Sequence, residues 1–413
     1  MKRRQFAALP AALLVQPALR AEAAERAPED FTAVQAGSEA GSEAGGFESP
    51  AVVEGDLPVF FERLKDELTF PLAWGTSPVR DFRRWRGLAR AKVEELLWQP
   101  IDRTPFDVEI DDEQPGEGYV QRTVLFNVTR HSRVRASLLV PTGRRGPFPA
   151  VLLLHDHGAK FDIGKEKLIR PWYDDTRLAS AEAWAAKYFS GRFVGNELAA
   201  RGYVVLSVDA IGWGDRSGMD YEGQQALASN FLNLGSSLAG LMAREDVRAA
   251  ELLSGLPEVD GRRVAALGFS MGAYRAWQVA ALSDRVRAAA AVCWMTALKD
   301  MMVPGNNTLR GQSAYFMLHP GLYRYLDIPD VASIAAPKPM LLFNGEQDTL
   351  FSVAGVRAAY DKLRAVWRSQ HHDDRLVTKL WPGLGHVFVR EMQDEAFAWL
   401  DQVVGDRAND GGR

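Results

Sequence analysis

The sequence predicts an α/β protein with a mostly parallel sheet carrying helices on both faces, antiparallel leading strands and a helical N-terminal appendage. Three observations point there. From residue 150 onward, short apolar runs alternate with longer segments of helical period. Between 106 and 140 the apolar period shortens to two. Before that, residues 56–104 repeat apolar side chains at helical spacing.

The chain starts Met1-Lys2-Arg3-Arg4-Gln5-Phe6, and an Ala/Leu stretch interrupted by Pro10 and Pro17 follows. With small residues around Ala21-Glu22-Ala23, 1–23 resembles a twin-arginine export signal, which predicts a periplasmic or secreted protein. The competing reading is a frayed amphipathic helix. No later stretch approaches the roughly 18 uninterrupted apolar residues of a membrane span, so no stable membrane anchor is expected. Residues 24–55 include Ala36-Gly37-Ser38-Glu39 and its near-copy Ala40-Gly41-Ser42-Glu43, a composition suited to a flexible linker. The appendage at 56–104 places Phe60, Phe61, Leu64 and Leu68, then Leu88, Val93, Leu96 and Leu97, at helical intervals. The main α/β domain is expected over 105–406 and a disordered tail over 407–413.

Antiparallel strands are expected at 106–110, 120–128 and 134–140. Buried strands follow at 150–154, 203–208, 264–267, 288–292, 340–343 and 376–380, with helices at 181–200, 224–253, 273–282 and 353–367 between them. In sheets of this kind ligands lie beyond the carboxyl ends of the strands, so chemistry is sought in the loops that follow them.

The 413 residues are 47% hydrophobic and 25% charged, which suits a chain with a sizeable buried core. A net charge of −4 lacks the basic excess that nucleic-acid binders use, so nucleic acid is not an expected partner. One cysteine, Cys293, rules out an intramolecular disulfide and a thiolate zinc cluster, and reads as a small buried hydrophobe.

After the strand at 264–267 comes Gly268-Phe269-Ser270-Met271-Gly272, then a helical run. A G-x-S-x-G elbow needs that sharp strand-to-helix turn, which lifts a nucleophilic serine above the sheet. Ser270 then requires a base and an orienting acid, in the chain order Ser, Asp or Glu, His. His386 in Gly383-Leu384-Gly385-His386 follows the strand at 376–380 and so lies at the elbow's end of the sheet. His371 and His372 precede that strand, and their His-His-Asp-Asp run reads as a solvated turn. His319 sits in an irregular segment and is a candidate for lining a pocket. For the acid, Asp348 of Asn344-Gly345-Glu346-Gln347-Asp348 is expected, with Glu346 as the fallback.

The oxyanion needs two preorganised N–H donors. The elbow supplies Met271, and Ala159 of His155-Asp156-His157-Gly158-Ala159 is expected to supply the other. His155-Asp156-His157 also invites a metal reading, but alternating residues at a strand end point to opposite faces, and no metal or other cofactor is expected. Gly212-Trp213-Gly214-Asp215-Arg216-Ser217-Gly218 imitates a dinucleotide loop, yet its third glycine falls one position late. Asp209 just before it reads as structural. His157, Gly158, Trp213 and Trp294 lie past strand ends and are the substrate-binding candidates, with the excursions 160–189 and 295–329 as cover.

These motifs, in this order, resemble the α/β-hydrolase superfamily over roughly 106–404, and within it the dienelactone-hydrolase and acetyl-xylan-esterase-like bacterial members. Dienelactone hydrolases carry a cysteine nucleophile where this chain has Ser270, which favours ester chemistry. The resemblance implies an α/β-hydrolase fold and an exported serine hydrolase of short-chain carboxylic esters, acting through an acyl-enzyme on a small-molecule or carbohydrate ester. A peptidase on the same fold, or a silent fold used for binding, are the rival readings. Oligomeric state is not read from the sequence.

Overall fold

This computed structural model describes residues 60–303 and 315–405, with backbone only at 53–54, 57–58 and 306–307. The expected signal at 1–23, most of the linker at 24–55 and the tail at 407–413 lie outside the described residues.

Nine strands build the main sheet: β1 (Glu109–Pro115), β2 (Tyr119–Thr129), β3 (Ser132–Pro141), β4 (Phe148–Leu154), β5 (Val204–Val208), β6 (Val259–Phe269), β7 (Ala288–Val292), β8 (Met340–Gly345) and β9 (Leu376–Trp381). Their spatial order is β9-β8-β7-β6-β4-β5-β3-β2-β1. Strands β4 to β9 run parallel, while β3, β2 and β1 extend one edge antiparallel. This is the α/β-hydrolase arrangement. Leu152 and Leu154 of β4 enter one core, and Val151 and Leu153 enter the other. Burial on both faces is why these strands read as continuous apolar runs. β7 is four alanines and a valine, and complete burial holds it extended despite low strand propensity. The chain steps from β4 to β5 on one side and then returns to β6 on the other, so a crevice opens at the carboxyl ends of β4 and β6.

The helices are α1 (Phe61–Asp66), α2 (Phe82–Leu96), α3 (Asp175–Tyr188), α4 (Val194–Ala200), α5 (Tyr221–Asn233), α6 (Leu238–Gly255), α7 (Met271–Leu282), α8 (Ile328–Ser333), α9 (Val353–Ser369) and α10 (Arg390–Val403). No helix among the described residues is long and apolar enough to cross a membrane. The helix expected at 181–200 is two, broken at Ser190 and Gly191, both with positive φ. That expected at 224–253 is also two: Gly235 takes φ +69, and the Ser237 hydroxyl caps the next helix by accepting the Gly240 N–H. The first leading strand begins at Glu109, three residues after its expected start at 106, because Asp107 turns the chain with φ +48. The helix α10, with Met392, Ala396, Phe397 and Leu400 inward, was not among those read from periodicity.

The appendage is less helical than its spacing suggests. Pro71, Gly75 and Pro78 interrupt it, leaving α1 and α2. Trp85, Ala89 and Val93 form the buried face of α2, whereas Phe60, Leu64 and Leu88 are exposed. Arg90 grips both carboxylate oxygens of Asp284 and the Ala281 carbonyl, satisfying the C-terminal end of α7. Thus the appendage braces the helix that begins at the elbow. Replacing Trp85 by Ala should lower the unfolding free energy by about 3–5 kcal/mol in denaturant titrations. Leu88→Ala should change it by no more than about 0.5 kcal/mol; the opposite ranking would mean α2 is turned the other way.

Candidate active site

Ser270 sits between β6 and α7 with φ 55 and ψ −125, a conformation that costs a non-glycine residue on the order of 1–3 kcal/mol. Close packing enforces it. A Cβ on Gly268 would lie 2.1 Å from the Gly272 oxygen, and one on Gly272 would lie 1.9 Å from the Leu154 oxygen at the end of β4. The Ser270 N–H donates to the Val292 carbonyl at 2.8 Å, tying the turn to β7.

His386 Nε2 stands 2.8 Å from Ser270 Oγ, and its Nδ1 stands 2.6 Å from Asp348 Oδ2. With Nδ1–H donated to the carboxylate, Nε2 is left to accept the serine hydroxyl. Asp348 is 5% exposed and its Oδ1 accepts the Leu350 N–H at 2.9 Å, so the carboxylate is held from both sides. Glu346, the alternative acid, points to solvent. The β8 and β9 loops approach so closely that a Cβ on Gly345 would lie 2.3 Å from the Gly385 oxygen, which brings Asp348 and His386 together. His371 and His372 lie between α9 and β9, at the opposite end of that strand from the loop bearing His386. His319 is buried against Tyr274 and Gln278 and does not line the Ser270 cavity.

The loop after β4 is fixed by buried polar contacts. His155 donates from Nδ1 to the Asp156 carbonyl at 2.8 Å and accepts the Ala210 N–H at Nε2 at 2.9 Å, which defines a neutral tautomer. Burial, then the charges of Arg275 and Lys167, hold it well below the usual histidine range. Lys167 Nζ donates to the carbonyls of Asp156 and His157 at 3.3 and 2.8 Å. His157 lines the Ser270 cavity, whereas Ala159 is exposed and does not. The cavity, of about 60 Å³, is walled mainly by Met271, Trp294, Met301, Met317 and Phe351. Trp213 is fully buried behind His157, with its indole N–H directed to the Gly158 carbonyl at 3.3 Å. Met271 opens α7, so its N–H is among the first-turn donors without an intrahelical acceptor.

The sequence pattern of the abhydrolase family matches residues 58–380. The chain belongs to this family. It is 28% identical over 319 residues to "Putative hydrolase YtaP" of Bacillus subtilis (strain 168), covering 77% of this chain and 99% of that one. Among solved structures it is similar to a "putative acetyl xylan esterase" from Bacteroides fragilis NCTC 9343, with TM-score 0.57, 18% identity and coverage of 78% of this chain and 82% of that one. A glucuronoyl esterase from Solibacter usitatus gives TM-score 0.57 at 14% identity, over 80% and 96% of the two chains. At these identities the two structures establish the shared fold.

Several side chains that shape this abhydrolase site have no sequence signature. Cys293, with φ +61, lies beside Asp348 and His386, and burial followed by the Asp348 charge pushes its thiol well above the ordinary range. Only its place one residue past β7 hinted at this. Two groups of potential metal-binding atoms converge among the described residues, Cys293/Asp348/His386 and Glu166/Asp209/Asp215. In the first, the thiol stays protonated and the Asp348–His386 hydrogen bond uses the facing atoms. In the second, the Lys165 ammonium already lies among the three carboxylates at 2.8–2.9 Å. Asp209 is therefore the anchor that holds the 160–189 excursion and the 212–218 turn to the sheet.

Burial, and then the Lys167 charge, pushes His157 down to about 3; burial alone pushes His319 down to about 4. Unfolding returns both to about 6.5, so below that pH the unfolded chain binds more protons and stability falls with acidification. In equilibrium unfolding between pH 6.5 and 4, His319→Gln should flatten the decline by up to about 1.4 kcal/mol per pH unit. An unchanged slope would mean His319 is protonated in the folded protein.

Proposed function

We propose that this chain is an exported serine hydrolase cleaving carboxylic esters with short acyl groups, such as acetyl on a carbohydrate or similar small alcohol. One observation carries the reading: the Asp348–His386–Ser270 hydrogen-bonded chain opens on a small apolar cavity. His386 Nε2 takes the Ser270 proton as Oγ bonds to the ester carbonyl carbon, while Asp348 holds the imidazolium in place. The carbonyl oxygen becomes an oxyanion at the Met271 N–H and at a second backbone donor from the loop after β4. Of that loop, His157 lies nearer the reacting centre than Ala159, which does not line the cavity. The tetrahedral adduct collapses, the alcohol leaves with the proton from His386, and water repeats the sequence on the acyl-enzyme. A cavity of about 60 Å³ suits an acyl group of a few heavy atoms. Fold neighbours named as esterases support the bond type. Export rests on Arg3-Arg4 and the small residues near 21–24.

With p-nitrophenyl esters of increasing acyl length, kcat/KM should peak at acetyl or propionyl and fall beyond butyryl. Ser270→Ala and His386→Ala should each lower kcat by about 10⁴–10⁶-fold, while His371→Ala leaves it nearly intact. Turnover of peptide amides but not esters would favour the peptidase reading, and loss in His371→Ala would move the base. N-terminal sequencing of the periplasmic protein should start within 22–25; an intact Met1 in that fraction would refute the signal.

A further inference from the structure

The wall of the Ser270 cavity holds one ionisable side chain, and it is unmatched. His157 is 7% exposed, and its Nε2 has no hydrogen-bond partner among the described residues. The ring is fixed in place. Tyr221 stacks on it at 5.8 Å and 11°, while Trp213, Phe316 and Phe161 meet it edge-on at 4.9, 5.9 and 6.3 Å. Gln224 of α5 is fully buried, lies against the imidazole within reach of a side-chain hydrogen bond to it, and has no other partner for Oε1 or Nε2 among the described residues. Three polar atoms on two neighbouring side chains are thus withdrawn from water, and a contact between the two side chains satisfies at most two of them. Leaving one unmatched costs on the order of 1–3 kcal/mol, and interiors keep such groups where something else completes them.

We propose that His157 on the cavity wall, backed by Gln224, forms a hydroxyl-recognising subsite beside Ser270, so that preferred substrates are polyol or sugar esters with a free hydroxyl next to the acylated oxygen. This rests on the esterase reading and narrows its substrate class. A hydroxyl both donates and accepts, which matches a neutral imidazole and a carboxamide. A carboxylate would need a cation, and the nearest, Lys167, has its ammonium committed to the Asp156 and His157 carbonyls and the Asp156 carboxylate. An alkyl group there would leave the cavity-facing polar atoms without a partner.

The test compares 2-hydroxyethyl acetate with its isostere propyl acetate, in which a methyl replaces the hydroxyl. Wild type should favour the hydroxy ester in kcat/KM by at least about tenfold. His157→Phe keeps a ring inside the aromatic cage, and Gln224→Met keeps side-chain length. In each, the ratio of the two kcat/KM values should fall to within about threefold of one. Because a ratio is read, general loss of activity cancels, and fluorophosphonate labelling of Ser270 reports that each variant's site is assembled. A wild-type ratio near one, or a preference retained in both variants, overturns the inference while leaving the esterase reading intact. Failure of wild type to label and to hydrolyse either ester overturns the esterase reading and this inference with it.

Discussion

A methyl group on Gly272 would lie 1.9 Å from the Leu154 carbonyl, and much of the site depends on that closeness. The contact presses the start of α7 onto the end of β4. It holds the chain at Ser270 at φ 55 and ψ −125, and it sets Met271 beside the loop that carries His157, both lining one cavity. Because β4 and β6 are neighbours with connections leaving in opposite directions, this tightest point is also where the sheet opens a crevice. Strain at Ser270 is held by the two parallel strands on either side of β6 and by the appendage, which grips the far end of α7 through Arg90.

The second support is electrostatic. Lys165 and Lys167, both fully buried, hold the excursion after β4 through carboxylates and carbonyls that the chain supplies from 156–157, 166, 209 and 215. Burying ions costs several kcal/mol each before pairing, so such a network specifies geometry more than it adds stability. Burial chiefly, and then the neighbouring positive charge, keeps His155 and His157 neutral. A neutral, caged imidazole is a hydrogen-bonding group of constant character across the working pH range, which suits recognition better than proton transfer. His386, partly exposed and paired with Asp348, has the opposite surroundings.

The parallel strands were legible because burial on both faces leaves only apolar residues, and the elbow because two backbone contacts admit only glycine at 268 and 272. Asp348 was separable from Glu346 by its place in the turn after β8, and burial of one with exposure of the other follows that geometry. The start of β1 was not legible: Phe106, Val108 and Ile110 alternate from 106, whereas the edge strand that forms, Glu109–Pro115, is exposed throughout and carries no apolar alternation of its own. The breaks at 190–191 and 235 were obscured by apolar periodicity that continues on both sides. Ala159 was expected because Gly158 beside it lets the backbone turn, and the loop does turn after His157, but outward, leaving Ala159 exposed. Lys165, Lys167 and Gln224 look like ordinary surface residues, because what buries them lies elsewhere in the chain; Lys165, for example, meets Asp209 44 positions away.

The central claim is that Ser270 is an activated nucleophile. The most direct measurement is reaction of the purified protein with a fluorophosphonate, followed by digestion and mass mapping of the modified peptide. Stoichiometric modification on Ser270, lost in His386→Ala, is expected. Absence of modification, or modification at another residue with Ser270 untouched, would contradict it.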